Sequence, residues 1–287
     1  MLGNEALLAA FSQLGLTPTC AIMGHASLSA LGVVDGGAAT VVEALRQAAG
    51  PEGAVILPSF RDAIREESYG MRGCRAACPA ELCPSREQGY TGIIGETVRA
   101  QPDSLRSCHP THSWVGIGGL SRFLLEGHRK SLTPCGEDSP FFRLMECGGR
   151  ILLLGVRVRS ITNIHAVEDA LNLPYLSAVD GARRHATYTT SGRRIQYRYP
   201  DLLHSLFEEA GLLRSAKTGA CTSYTLSARG LGSFLWIVTE DDPWCWTVRP
   251  DGRAYDPFSD ACRKVARMAQ VWRERPDTEA WRRLIEY

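Results

Sequence analysis

Apolar positions in the first sixty residues change period several times. Leu7, Leu8, Phe11 and Leu14 recur at helical spacing, so MLGNEALLAAFSQLG predicts an amphipathic helix. Thr19-Cys20-Ala21-Ile22-Met23 is a short, largely apolar run, the pattern of a strand. The stretch after it carries Gly24, Gly32, Gly36 and Gly37 and predicts a loop. Val41, Val42, Leu45, Ala48 and Ala49 then line one helix face, with Thr40 as predicted N-cap and Gly50-Pro51 as the stop. Ala54-Val55-Ile56-Leu57 predicts a second buried strand. Strand, helix and strand at this length predict a crossover unit and a parallel strand pair.

A second such unit opens at Arg150. Ile151-Leu152-Leu153-Leu154-Gly155-Val156 shows no alternation, as expected of a strand covered on both faces. Thr162 to Glu168 (TNIHAVE) then opens a helix. Two units of this kind predict an α/β fold, a layered sandwich with a mostly parallel central sheet. Trp114 to Gly118 reads as a further strand, and 183–200 as a hairpin turning at Ser191-Gly192. The Arg-rich tail from Ala261 to Tyr287 reads as helix interrupted by Pro276. Residues 61–90 break the pattern: Arg, Glu, Cys and Gly dominate, and an irregular loop insertion is expected there.

Composition narrows the possible functions. The chain has 287 residues, 44% of them hydrophobic, enough for a sizeable core and against a disordered chain. Lys+Arg 32 against Asp+Glu 31 leaves a net charge of +1, so no strong field recruits nucleic acid or an anionic membrane. No apolar run reaches the roughly 20 residues of a membrane helix, and the opening segment has Glu5 and no basic stretch, unlike a signal peptide. Ten cysteines are too sparse for a disulfide scaffold in a chain this long; reduced thiols in a cytoplasmic protein are expected.

Four constellations could carry chemistry. Gly24-His25-Ala26-Ser27-Leu28 follows the first strand, where open α/β sheets collect ligands, and its small residues suit a phosphate as well as an ordinary turn. In Thr162-x-x-His165-x-x-Glu168, the positive end of the helix dipole disfavours imidazolium at His165. A neutral His165 oriented by Glu168 suits a general base, while a capping cluster around Thr162 is the bland alternative. Arg106 to Ser113 (RSCHPTHS) pairs Cys108 with His109 and His112, either a ligand-facing loop or a Cys-His nucleophile with nothing to activate the thiol. Cys74, Cys78 and Cys83 are spaced more loosely than zinc pairs and lack an evident fourth ligand, so no metal is assigned. The pattern GxSxG is absent, and Glu240-Asp241-Asp242 before Pro243 reads as a solvated turn.

Taken in order, five segments resemble the aminoglycoside 3-N-acetyltransferase family: HASLSALGVVDGG (25–37), AAGPEGAVILPSF (48–60), GIIGETVRAQPDSLRSCHPTHS (92–113), GEDSPFFRL (136–144) and GGRILLLGVRVRSITNIHAVE (148–168). The resemblance implies a single α/β domain over residues 1–287, of the family's own acetyltransferase fold, using acetyl-CoA as co-substrate. It implies direct acetyl transfer to a primary amine of an aminoglycoside or another small amino compound, and an oligomer is possible. By the same resemblance His165 stands at the catalytic base, Glu168 follows it in TxxHxxE, Glu96 holds an acidic position that orients the site, and Asp201 falls near a carboxylate of a later strand region. His25, Ala26, Ser27 and Leu28 match the loop that holds the cofactor pyrophosphate; His112 and Ser113 lie in a second cofactor loop, and Ser139 lines the thioester end. Balanced charge in 61–90 leaves open a non-resistance acyltransferase of biosynthesis, or an idle metal- or ligand-binding relative.

Overall fold

The protein is described by a computed structural model that covers residues 1–60, 80–84, 87–109, 112–131, 134–171, 173, 200–246 and 257–286. Its centre is a seven-stranded sheet made of β1 (Ala21–Ala26), β2 (Ala54–Pro58), β3 (Leu105–Arg106), β4 (Trp114–Ile117), β5 (Arg150–Leu154), β6 (Arg214–Thr218) and β7 (Cys221–Ser227), in the order β3-β4-β2-β1-β5-β7-β6. One face carries α1 (Asn4–Gln13), α2 (Gly37–Ala49) and α3 (Ile93–Arg99). The other carries α4 (Ser121–Leu125), α5 (Pro140–Glu146), α6 (Ala166–Leu171), α7 (Pro200–Glu209), α8 (Ala228–Asp241), α9 (Pro257–Glu274) and α10 (Trp281–Glu286).

The layered α/β architecture agrees with expectation; the strand directions do not. Only β2, β1 and β5 run parallel, through β1–β2 and β1–β5 pairing. The pairs β2–β4, β3–β4, β5–β7 and β6–β7 are antiparallel. The first crossover, β1-α2-β2, forms as its length requires. Within each flank, β3 to β4 and β6 to β7 are joined by connections too short for a crossover, such as the turn from Thr218 to Cys221, and short connections leave only the antiparallel choice. In the central strands, alternate residues face two separate cores. Met23, Ile56, Ile151 and Leu153 meet Phe141, Phe142, Phe207 and Phe234. Ile22, Val55, Leu152 and Leu154 meet Leu7, Phe11, Val41 and Leu45. Both sets are apolar, which explains why these strands read as unbroken hydrophobic runs.

Local boundaries moved where glycine and strand pairing decided them. Helix α2 starts at Gly37, behind Gly36 in a left-handed conformation (φ 71°), so Thr40 lies inside the helix and is not its cap. Strand β1 runs on through Gly24, His25 and Ala26, the segment expected to be loop, because His25 and Ala26 pair with Leu153 and Leu154 of β5. The C-terminal helices break around Pro276 as expected. Residues 61–79 and 85–86 of the expected insertion, and the expected hairpin up to residue 199, lie outside the described residues.

Gly53 shows how closely the crossover is packed. A Cβ there would stand 2.2 Å from the Ala49 carbonyl oxygen and 2.6 Å from that of Cys20. Both obstacles are backbone, at the end of α2 and the start of β1, so neither can swing aside. Gly53→Ala is expected to cost about 3 kcal/mol, the upper end of overpacking penalties, read as a lower urea midpoint at unchanged slope.

Candidate active site

Strand β5 ends at Leu154, and the chain then makes two 3₁₀ turns, Val158–Ser160 and Thr162–His165, before α6. His165 therefore stands where 3₁₀ turn passes into helix, beyond the carboxyl end of a central parallel strand. Glu168 follows three residues on, and its Oε2 lies 2.6 Å from His165 Nδ1. Glu168 is 1% exposed and His165 9%. A carboxylate this short a distance from Nδ1 accepts its proton, so the lone pair of the neutral ring is on Nε2. Burial pushes the imidazole pKa down. The hydrogen bond and charge of Glu168, with the charge of Asp169, outweigh burial and leave it raised above 6.5. The helix-dipole argument predicted the opposite direction; a buried carboxylate in contact outweighs the partial charge of one short helix end. Thr162 does not cap the turn: its Oγ1 is buried without a hydrogen-bond partner among the described residues.

The segment expected to cradle a pyrophosphate divides in two. His25 is inside β1, 5% exposed, edge-on to Trp114 at 5.6 Å, with Nε2 3.5 Å from Asn163 Oδ1. Burial lowers its pKa to about 4, against the weaker upward pull of Asn163. It is a neutral wall residue joining β1 to the His165 turn. Ala26 ends the strand, and the Ser27 amide donates to the Leu154 carbonyl at 2.9 Å, so that N–H is already used. Ser27 Oγ and Leu28, which precedes the turn Ser29–Leu31, are the parts of this segment outside the strand, with Ser27 Oγ 3.2 Å from Ser29 Oγ.

The second loop is held from within. His112 lies tilted on Phe60, ring centroids 4.6 Å apart, and its amide donates to His109 Nδ1 at 3.0 Å. Its pKa falls to about 3, chiefly by burial and further by the nearby His128 and His165. Ser113 is fully buried and its hydroxyl donates to the His109 carbonyl. Ser139, 1% exposed, precedes α5 in extended conformation, and its Oγ has no hydrogen-bond partner among the described residues. A buried hydroxyl without a partner is costly and suits a group that meets a ligand oxygen.

The other expected carboxylates, Glu96 and Asp201, lie on helices α3 and α7. Glu96 Oε1 accepts the Gly89 amide at 2.9 Å, tying down the chain before α3, and Oε2 pairs with Arg99 Nε at 2.7 Å within the helix; neither partner is His165. Asp201 lies at the start of helix α7 and not in a strand; its side chain is outside the described residues. Cys74 and Cys78 are outside them too, whereas Cys83 is buried. Cys108 is buried. A cavity of about 660 Å³ lined by Arg46, Pro51, Asp103 and Gly119 lies where β2 begins, at the opposite end of the parallel strands from His165. Sequence reasoning missed Asn163 and Asp169. The second lies four residues after His165, a same-face spacing that could have drawn attention to it.

Comparison with known proteins places the chain in a family. The sequence model of the family described as aminoglycoside 3-N-acetyltransferase matches residues 23–236. The chain belongs to that family. The stretch contains β1, the loop with His112, Ser139 and the His165–Glu168 pair. Aminoglycoside N(3)-acetyltransferase III of Serratia marcescens is 36% identical over 178 residues, 59% of this chain and 65% of that protein. The SPbeta prophage-derived aminoglycoside N(3')-acetyltransferase-like protein YokD of Bacillus subtilis (strain 168) is 30% identical over 249 residues, 79% and 89% of the two chains. The chain spans just under two thirds of the length of the first curated relatives, at 65% and 62%. The solved structure of AAC(3)-IIb superposes with TM-score 0.65 at 28% identity, covering 84% of this chain and 98% of that one. AAC-IIIb in its binary complex with CoASH shares the fold, with TM-score 0.63 at 23% identity over 80% and 92%. No helix among the described residues is long and apolar enough to cross a membrane.

Proposed function

We propose that this protein transfers an acetyl group from acetyl-CoA directly to a primary amine of an aminoglycoside or a related small amino compound, with His165 as general base. The observation that carries this reading is the buried Glu168 carboxylate 2.6 Å from His165 Nδ1. It fixes the imidazole tautomer and makes the ring more basic, both of which a base serving an amine needs. Family membership supports the reaction class, and the CoASH complex of AAC-IIIb supports a CoA thioester as donor.

In this mechanism the amine nitrogen attacks the thioester carbonyl carbon while His165 Nε2 takes its proton. The carbonyl oxygen becomes an oxyanion, and the Ser139 hydroxyl is the group assigned to receive it; one such donor contributes about 3–4 kcal/mol. Collapse of the tetrahedral intermediate breaks the carbon–sulfur bond, and the thiolate takes the proton back from His165. An amide and CoASH result. Ser27, Leu28, His112 and Ser113 are assigned to the cofactor side, with His25 as a neutral wall behind them. Holding both reactants side by side supplies much of the remaining rate.

The test is a panel of amines, aminoglycosides included, incubated with acetyl-CoA and a thiol reporter. Thiol release with at least one amine, and amide product by mass, is expected. A protein that releases no thiol with any amine yet carries stoichiometric zinc is an idle metal-binding relative instead.

A further inference from the structure

A second buried network lies behind the site, and it converges on one peptide bond. His128 is fully buried, with Nε2 3.1 Å from the Pro134 carbonyl oxygen and Nδ1 2.9 Å from Ser107 Oγ. A carbonyl only accepts, so Nε2 carries the proton and donates, and Nδ1 accepts from the Ser107 hydroxyl. Ser107 Oγ in turn accepts the Trp114 amide at 2.8 Å. On the other side of the same peptide, the Cys135 amide donates to Asp169 Oδ2 at 2.8 Å. The Cys135 thiol adds a longer contact, 3.5 Å, to the Thr162 carbonyl of the His165 turn.

We propose that His128 is a positioning residue: with Asp169 it grips the carbonyl and the N–H of the Pro134–Cys135 peptide, and this clamp holds the loop leading to Ser139 in register with the turn that carries His165 and Glu168. The proposal rests on the reading of His165 and Ser139 given above. The relay runs Trp114, Ser107, His128, Pro134–Cys135, Asp169, from strand β4 to the residue beside Glu168. Every internal member both donates and accepts, so each bond polarises the next, and the last acceptor is a carboxylate. His128 also lies nearly parallel to His109, centroids 4.6 Å apart and planes at 23°, and His109 anchors the amide of His112. One imidazole thereby braces both loops beside the candidate base. Misplacement by an ångström is enough to cost about 100-fold in rate, so a brace of this kind acts on kcat and not on folding alone.

His128→Phe keeps a stacking ring and loses both hydrogen bonds; His128→Gln keeps an N–H able to reach the Pro134 carbonyl. His128→Phe is expected to lower kcat at least tenfold with KM for acetyl-CoA within about threefold, and His128→Gln to recover most of the loss. Amide exchange gives a reading independent of activity: Cys135 N–H should exchange at least tenfold faster in His128→Phe than in the wild type, while Leu153 in β5 is unchanged. In combination with Asp169→Asn, the kcat losses should fall short of the product of the single losses, since both act on one peptide. Unchanged Cys135 exchange in folded His128→Phe overturns the clamp even if the wild type proves inactive. Unchanged kcat in an active protein, or losses that multiply, overturns its role in the reaction. Should His128→Phe fail to fold, Ser107→Ala, which removes only the donor to Nδ1, takes its place with the same readouts.

Discussion

His165→Ala is expected to lower turnover of acetyl-CoA with an amine by 10²–10⁴-fold, the usual contribution of a positioned general base. The residue is 9% exposed at the boundary of a 3₁₀ turn and a short helix, with Glu168 in contact, so truncation removes the proton acceptor and leaves the β5 scaffold standing. Residual activity above about a tenth of wild type would mean another group takes the proton. The same site fixes a pH signature. Glu168 raises the His165 pKa above 6.5, so kcat/KM is expected to climb with pH through that raised value as the ring loses its proton. Glu168→Gln keeps an acceptor for Nδ1 without the charge. Its activity limb should therefore move to lower pH, because the carboxylate's upward pull is gone and burial remains. Glu168 variants whose limb stays in place would show that the observed titration belongs to another group.

Much of this was legible in the sequence, for identifiable reasons. The unbroken run from Ile151 to Leu154 and the β1-α2-β2 crossover fixed the parallel centre, since pattern and connection length allow few alternatives. Spacing placed Glu168 on the same side as His165, and the 2.6 Å contact follows from it. What escaped was set by pairing between distant segments. The direction of β7 against β5 depends on a partner that follows some seventy residues later, as Ile151 paired with Leu226 illustrates. His25 looked like a loop residue because glycine precedes it, yet β5 extends far enough to pair with it, and the strand continues. The Pro134–Cys135 clamp joins residues from four separate segments, each ordinary alone. The direction of the His165 pKa was misjudged because a general dipole argument cannot weigh a specific carboxylate before its distance is known.

Acid is expected to unfold the protein in the window below pH 6, and the buried imidazoles are the cause. His25 and His128 are held neutral down to about pH 4 and His112 to about 3, mainly by burial. In the unfolded chain all three charge near pH 6.5. Between these values the unfolded state binds more protons than the folded state, so stability rises with pH there and falls on acidification. At about 1.4 kcal/mol per unit of pKa shift, each imidazole withdraws about 2–3 kcal/mol by pH 4.5. Three together are comparable with the 5–15 kcal/mol total stability of typical domains. His165 works in the opposite sense: its raised folded pKa adds stability below 6.5 that fades as pH rises through the folded value. One such group does not offset three. Urea titrations at pH 7, 6, 5 and 4.5 should show a slope corresponding to about three protons taken up on unfolding near pH 5. His112→Asn, which has no proton to gain there, should reduce that uptake by about one. A stability that stays flat from pH 7 to 5 would mean that these rings are open to water or already paired with a charge, contrary to the burial that His25, His112 and His128 share.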